Sequence, residues 1–185
     1  MIKNLDLILS LFENPLEAID RIIIEKPVWL SLVIFFLANL CLAVSGSVMS
    51  DNSESGFLLR FILFTPINLV MLIISAAVFH LTAELLKGRG SATSLFVLLN
   101  FSLAPILLNI PVALLSGIIG RSISGLAVFL IFVWCAAIAV VSIKKIYSFS
   151  TARAVITALS PAIYLFILFA GTGILFLGLI AVFLV

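Results

Sequence analysis

Charge is what this chain most conspicuously lacks: 10% of its 185 residues are Asp, Glu, Lys or Arg, against about 25% in an ordinary soluble domain. With 64% of the residues hydrophobic, no aqueous fold could hide so much apolar surface. The formal charge is only +2 and its basic residues are dispersed, so there is no electrostatic footprint for nucleic acid. Histidine occurs once and cysteine twice. Cys41 and Cys135 both fall within apolar runs, where a free thiol behaves as a small hydrophobe. A disulfide framework or a zinc site would need clustered ligands. P-loop, dinucleotide fingerprint and paired catalytic carboxylates are all missing, and no nucleophile motif accompanies the single histidine. The chain is therefore read as non-enzymatic, without a cofactor and without an identified soluble substrate. A cleavable leader is not expected either. About 27 residues, several of them charged, precede the first apolar run, and that run is long enough to span, although Ala43-Val44-Ser45 faintly imitates a cleavage site.

What the chain has in abundance is long apolar runs. They predict an all-α polytopic membrane protein, a five-helix transmembrane bundle with an N-terminal amphipathic interfacial helix. Residues 1–27 form the cytoplasmic amphipathic segment. Residues 28–185 form the transmembrane domain, with spans at about 28–49, 57–85, 92–116, 125–143 and 154–185.

In the leading segment Ile2, Leu5, Ile8, Leu9 and Phe12 recur at helical spacing, which fits a short helix at the membrane surface. A restart follows, with Asn14 as N-cap, Pro15 at the first helical position and Glu17 at the capping-box position. The second helix places Leu16, Ile19, Ile22 and Ile23 on one face. It reads as a surface-lying lead-in to the first span, with a partner-binding helix as the alternative. Pro27 ends it, and Trp29 is placed for an aromatic belt.

Span two is long and is expected to tilt or bend near Pro66, while Arg60 near its start can snorkel outward. Span three carries Pro105 and Pro111, whose freed carbonyls should be satisfied by neighbouring helices, so it is expected to face protein there. Span four reads as the shortest. The last run is longer than one straight crossing needs and could kink at Pro161, or be two half-crossings meeting at Gly171-Thr172-Gly173. With the N-terminus inside, Lys3, Arg21, Lys26, Lys87, Arg89, Lys144, Lys145 and Arg153 share the cytoplasmic side, against Arg60 and Arg121 opposite. The basic turns at Lys87/Arg89 and Lys144/Lys145 thus orient the chain, and its C-terminus should emerge on the other side.

Asn39, Asn68, Asn100 and Asn109 lie within spans and should hydrogen-bond across helices or line a polar cavity. Asn68, Ser75 and Thr82 recur every seven residues and could face Asn100 and Asn109 across such a cavity. Asn39, Ala43 and Ser47 fall on one stripe, as do Ala154, Ala158 and Ala162, and stripes of small residues read first as helix packing. His80 and Glu84 stand one turn apart near the inner end of span two. They read as an interfacial pair seating the Lys87/Arg89 turn, with proton sensing as the sharper alternative.

Taken together, the order of features resembles the Yip-one family of integral membrane proteins in its short bacterial or archaeal form. The resemblance rests on Asn14-Pro15 through Lys26-Pro27-Val28-Trp29, on His80 through Leu86-Lys87-Gly88-Arg89-Gly90-Ser91, and on Ala104-Pro105-Ile106-Leu107. Trp134 and Ser150 through Ala154 leading to Ser160-Pro161 complete it. It implies a five-helix bundle in a prokaryotic plasma or inner membrane, with a cytoplasmic N-terminus. Eukaryotic members are associated with Rab-type GTPases through a longer N-terminal region and an Asp-Leu-Tyr-Gly-Pro type of element. That element is not found here, so the GTPase role is not carried over. Two functions follow as expectations. The first is a non-catalytic scaffold or accessory subunit that binds membrane lipids, other membrane proteins or further copies of itself. The alternative is a small transporter or channel with a polar cavity between spans two and three.

Overall fold

The computed structural model describes residues 2–49 and 55–184, so most of the segment between the first two expected spans lies outside the described residues. Among them there are eight α-helices, one 3-10 turn and no strand. The chain opens with two short helices, α1 (Ile2–Glu13) and α2 (Pro15–Glu25). Pro15 does stand at the first helical position, but the expected capping box does not form: the Asn14 side chain makes no cap bond, and its carbonyl simply accepts the Ala18 amide at 3.1 Å. Arg21 reaches Asp6 at 3.4 Å, fifteen residues away in sequence, so α1 and α2 fold back on each other. Lys26 then adopts a left-handed conformation (φ 45°) and donates its amide to Ile22, which ends α2 one residue before Pro27.

Five helices are long and apolar enough to cross a bilayer. α3 (Val28–Met49) starts with the Pro27 carbonyl accepting the Ser31 amide. α4 (Ser55–Leu85) runs through Pro66 without interruption. Span three is a broken rod: α5 (Ala92–Phe101), a 3-10 turn over Ala104–Leu108, and α6 (Asn109–Ile119). Pro105 has no amide to offer the Phe101 carbonyl, so the α-helical ladder cannot continue. Ser102 helps to close the end of α5 by donating its hydroxyl to Leu99 at 2.7 Å. Phe101, Ala104, Pro105 and Ile106 are buried, so the irregular stretch at Pro105 is enclosed by protein as expected, whereas Pro111, for which the same was expected, is exposed.

α7 (Arg121–Tyr147) corrects the expectation of a short fourth span at 125–143. Ser122 and Ser124 look like turn residues, yet the Ser124 hydroxyl bonds back to Gly120 at 3.0 Å and stays within the helix. Only Gly120, at φ 84°, breaks the chain there. At its other end Lys144 and Lys145 belong to the last helical turn, where cations suit the exposed carbonyls. α8 (Thr151–Leu184) continues unbroken through Pro161 and the glycine pair, so the two half-crossings are not found.

The N-terminal helices differ from expectation in what covers them. Leu7, Leu11, Ala18, Ile19 and Ile22 are at most 2% exposed, packed on Ile34 of α3, Val97, Leu98 and Phe101 of α5, and Ile138 of α7. Of the residues assigned to the membrane surface, Ile19 and Ile22 are thus turned onto the bundle and Ile8, Phe12 and Ile23 are half-buried against it, whereas Leu9 and Leu16 are exposed, and in α1 the buried residues are instead Leu7 and Leu11. Phe12 sets its ring edge-on to Trp134 at 5.6 Å, and Trp134 lies about 20 Å along α7 from its basic end. α3, broken span three and α7 thus make the enclosed centre. α4 and α8 lie outside it, and among the described side chains α8 buries little beyond Ala154, Thr157 and Ser160. Ala162 is exposed, so the alanine stripe gives way to Thr157 and Ser160 as the packing residues.

Candidate functional site

Three groups of polar residues interrupt the apolar bundle. The first lies at the end that carries Lys87, Arg89, Lys144 and Lys145. There α4 and α7 finish in the same way, with a residue in the left-handed conformation after the helix: Lys87 at φ 63° and Ser148 at φ 53°. Gly88 donates its amide back to Ala83 at 2.8 Å, and Phe149 donates to Lys144 at 3.0 Å, satisfying carbonyls that helix ends leave open. The two ends pack on each other. A Cβ at Gly88 would meet the Phe149 ring at 2.5 Å, and one at Gly90 would lie 2.6 to 2.7 Å from Ile146 and Tyr147. Phe149 stacks on Tyr147, with ring centroids 5.6 Å apart.

This aromatic pair brings Tyr147 to His80. His80 Nδ1 is 2.6 Å from the Tyr147 hydroxyl, while its Nε2 is 3.4 Å from Glu84 Oε1. Both ring nitrogens thus have a polar neighbour, and the ring ties α4 to α7. The expected His80/Glu84 contact is present, and Tyr147 is the member that sequence reasoning missed. Its only local signal is the Tyr-x-Phe spacing after the two lysines, opposite Gly-x-Gly in the other turn. Lys145 does not project freely but grips Asp20 of α2 at 2.7 and 2.9 Å. Lys144 reaches Thr151 at 3.0 Å across the turn. Lys87 and Arg89 are exposed.

The second group lies between α3 and α4. Asn68 donates its amide to Asn39 Oδ1 at 2.6 Å, and Asn39 in turn donates to the Phe35 carbonyl at 2.9 Å. Around this pair is a cleft of about 230 Å³, also lined by Arg60, Thr65, Phe61 and Phe64. Asn68 therefore works with span one, not across a cavity with Asn100 and Asn109. Thr82, further along the same stripe, donates to Val78 and lies 3.2 Å from the Tyr164 hydroxyl of α8.

Asn100 and Asn109 form the third group, on either side of the break in span three. Both are fully buried. Asn100 donates to Phe96 at 3.0 Å, and the Oδ1 of each has no hydrogen-bond partner among the described residues. They are packed inside the bundle and line none of the clefts described here.

A cleft between α4 and α5 does exist, but its walls are Ile73, Ala76, Ala77, Leu81, Ala92 and Phe96, with His80 and Glu84 as its polar residues. Two further clefts lie at Arg121 and at Lys144/Lys145, and no residue lines two of the four. Among the described residues no three His, Cys, Asp or Glu side chains come close enough to hold a metal ion. What these arrangements do chemically is bind helix to helix and leave small, mostly apolar recesses between them.

Comparison with known proteins found no match among curated proteins and none among solved structures. The Yip1 domain matches residues 9–174, which takes in the end of α1, all of α2, the first four crossing helices, both basic turns and α8 as far as residue 174. With nearly the whole chain matched, this five-span membrane protein belongs to the Yip1 domain family.

Proposed function

We propose that the protein is a non-catalytic membrane scaffold or accessory subunit, working by contact with other membrane proteins, with further copies of itself or with lipid. One observation carries this reading. From Ala162 to Gly173 every residue of α8 is exposed, including Phe166 at 75% and Phe169 at 71%, so this stretch turns most of its surface away from its own bundle, Tyr164 beside Thr82 being a contact it keeps there. Between helices in a bilayer, association comes from packing and interhelical hydrogen bonds, and an uncovered helix is open to both. The polar groups support the same reading, because Asn39–Asn68 and His80–Tyr147 each join two helices directly. A transporter would need a polar route between the two surfaces, whereas the clefts are separate and largely apolar.

In this reading the basic end faces the cytoplasm of a prokaryotic cell, with the N-terminus inside and the C-terminus across the membrane, and the cations Lys87, Arg89, Lys144, Lys145 and Arg153 support it. Gentle extraction into native lipid discs tests the functional reading. The scaffold predicts a defined protein neighbour or self-association that survives extraction and weakens when Phe166 and Phe169 are both replaced by serine. A chain that purifies alone and conducts a solute across proteoliposomes would contradict it.

A further inference from the structure

The cleft between α3 and α4 holds a cation, an unused hydroxyl and two amides in otherwise greasy surroundings. We propose that it binds one anionic phospholipid, with the phosphate on Arg60 and the ester region against Thr65. Arg60 stands five residues inside α4, about 8 Å from its start, near the end opposite the basic turns. Gly46 of α3 lets it come close, since a Cβ there would lie 3.2 Å from the guanidinium Nη1. Among the described residues Arg60 takes part in no ion pair.

Thr65 supplies an independent sign of a ligand. It is 5% exposed, lines this cleft, and its Oγ1 has no hydrogen-bond partner among the described residues. A buried hydroxyl left unpaired is costly, so a group that accepts its proton would be held there. Five residues of helix separate Arg60 from Thr65, about 7.5 Å along the axis. A bilayer's polar zone adds roughly 5–8 Å to each side of its hydrocarbon core, so a phosphate level with Arg60 brings its esters level with Thr65. The walls argue for a lipid over a soluble anion. Leu42, Ala43, Phe61 and Phe64 line the cleft, and neighbouring Ile62 and Leu63 are more than half exposed on the flank where acyl chains would lie. This ligand occupies a different surface from the uncovered stretch of α8, so protein contact or self-association through that stretch and lipid binding here stand or fall separately.

The test uses full-length protein in detergent, delipidated and titrated with phosphatidylglycerol, phosphatidylcholine or inorganic phosphate. Bound lipid is counted by native mass spectrometry, and helicity is checked by circular dichroism. Phosphatidylglycerol is expected to be retained over phosphatidylcholine. Arg60→Gln should weaken that retention roughly tenfold or more, because a charge-assisted hydrogen bond is lost. Thr65→Val should weaken it about fivefold. Arg60→Lys and Thr65→Ser should restore most of the binding, and Arg121→Gln, at the same end of the molecule, should leave it unchanged. Equal retention of both lipids, competition by inorganic phosphate alone, or indifference of well-folded Arg60→Gln would overturn the proposal.

Discussion

Tyr147 gives half-buried His80 a partner, and removing its hydroxyl isolates Nδ1 where water has only partial access. Tyr147→Phe should therefore cost about 0.5–1.5 kcal/mol, read as a lower thermal midpoint in detergent. Glu84→Gln should cost less than about 1 kcal/mol, because the carboxylate is 59% exposed. Gly88→Ala should cost about 1–3 kcal/mol by driving a methyl into the Phe149 ring, and the smaller ring site in Phe149→Leu should recover part of that loss. If the double variant is no more stable than Gly88→Ala alone, the close approach of the two turns is not what makes this glycine necessary. At this scale the sequence reveals neighbours within a helix but not across helices. The contact between His80 and Glu84 was readable from one-turn spacing, whereas Tyr147 lies 67 residues from His80 and no periodicity links them. The same holds for the partner of Asn68. A buried amide demanded a partner, but the pattern on α4 could not say that Asn39 of α3 would supply it.

The helical hairpin α1–α2 is the element whose surroundings the sequence left most open. An apolar stripe on a short helix fits lipid and protein equally well, and the burial of Ile19 and Ile22 against α5 and α7 decides between them here. Ile22→Ala should consequently cost about 2–5 kcal/mol, while Ile24→Ala on the same helix, where the side chain is 80% exposed, should stay within about 0.5 kcal/mol. Equal, small effects in denaturation experiments would return the hairpin to the membrane surface. Asp20→Asn, which loses the exposed contact to Lys145, should matter by less than about 1 kcal/mol. The crossing helices themselves were legible because hydrocarbon demands long apolar runs with few charges. Their ends were less so: serines at 122 and 124 resemble a turn in sequence, yet a serine hydroxyl can bond the helix's own carbonyl. In span three, Pro105 and Pro111 announced irregular backbone, but their different roles depend on position. Pro105 enters the 3-10 turn, whereas Pro111 sits in the first turn of α6, where an amide has no helical acceptor anyway.

For the molecule as a whole, the five crossing helices rest on physics that the sequence displays plainly, and the Yip1 domain match over residues 9–174 agrees with it. What the molecule touches is less legible, since the exposed stretch of α8 from Ala162 to Gly173 is mostly apolar and carries no charge pattern to select a partner. The proposed orientation rests on odd parity and on the basic turns: five crossings would set the termini in different compartments, and the cations of those turns argue for the cytoplasm at the N-terminal one. The most direct measurement attaches small accessible tags before residue 2 and after residue 185 and probes them with impermeant reagents in intact cells and in inverted vesicles. The account predicts that the C-terminal tag reacts in intact cells and the N-terminal tag only after inversion. Labelling of both tags from the same side would contradict it.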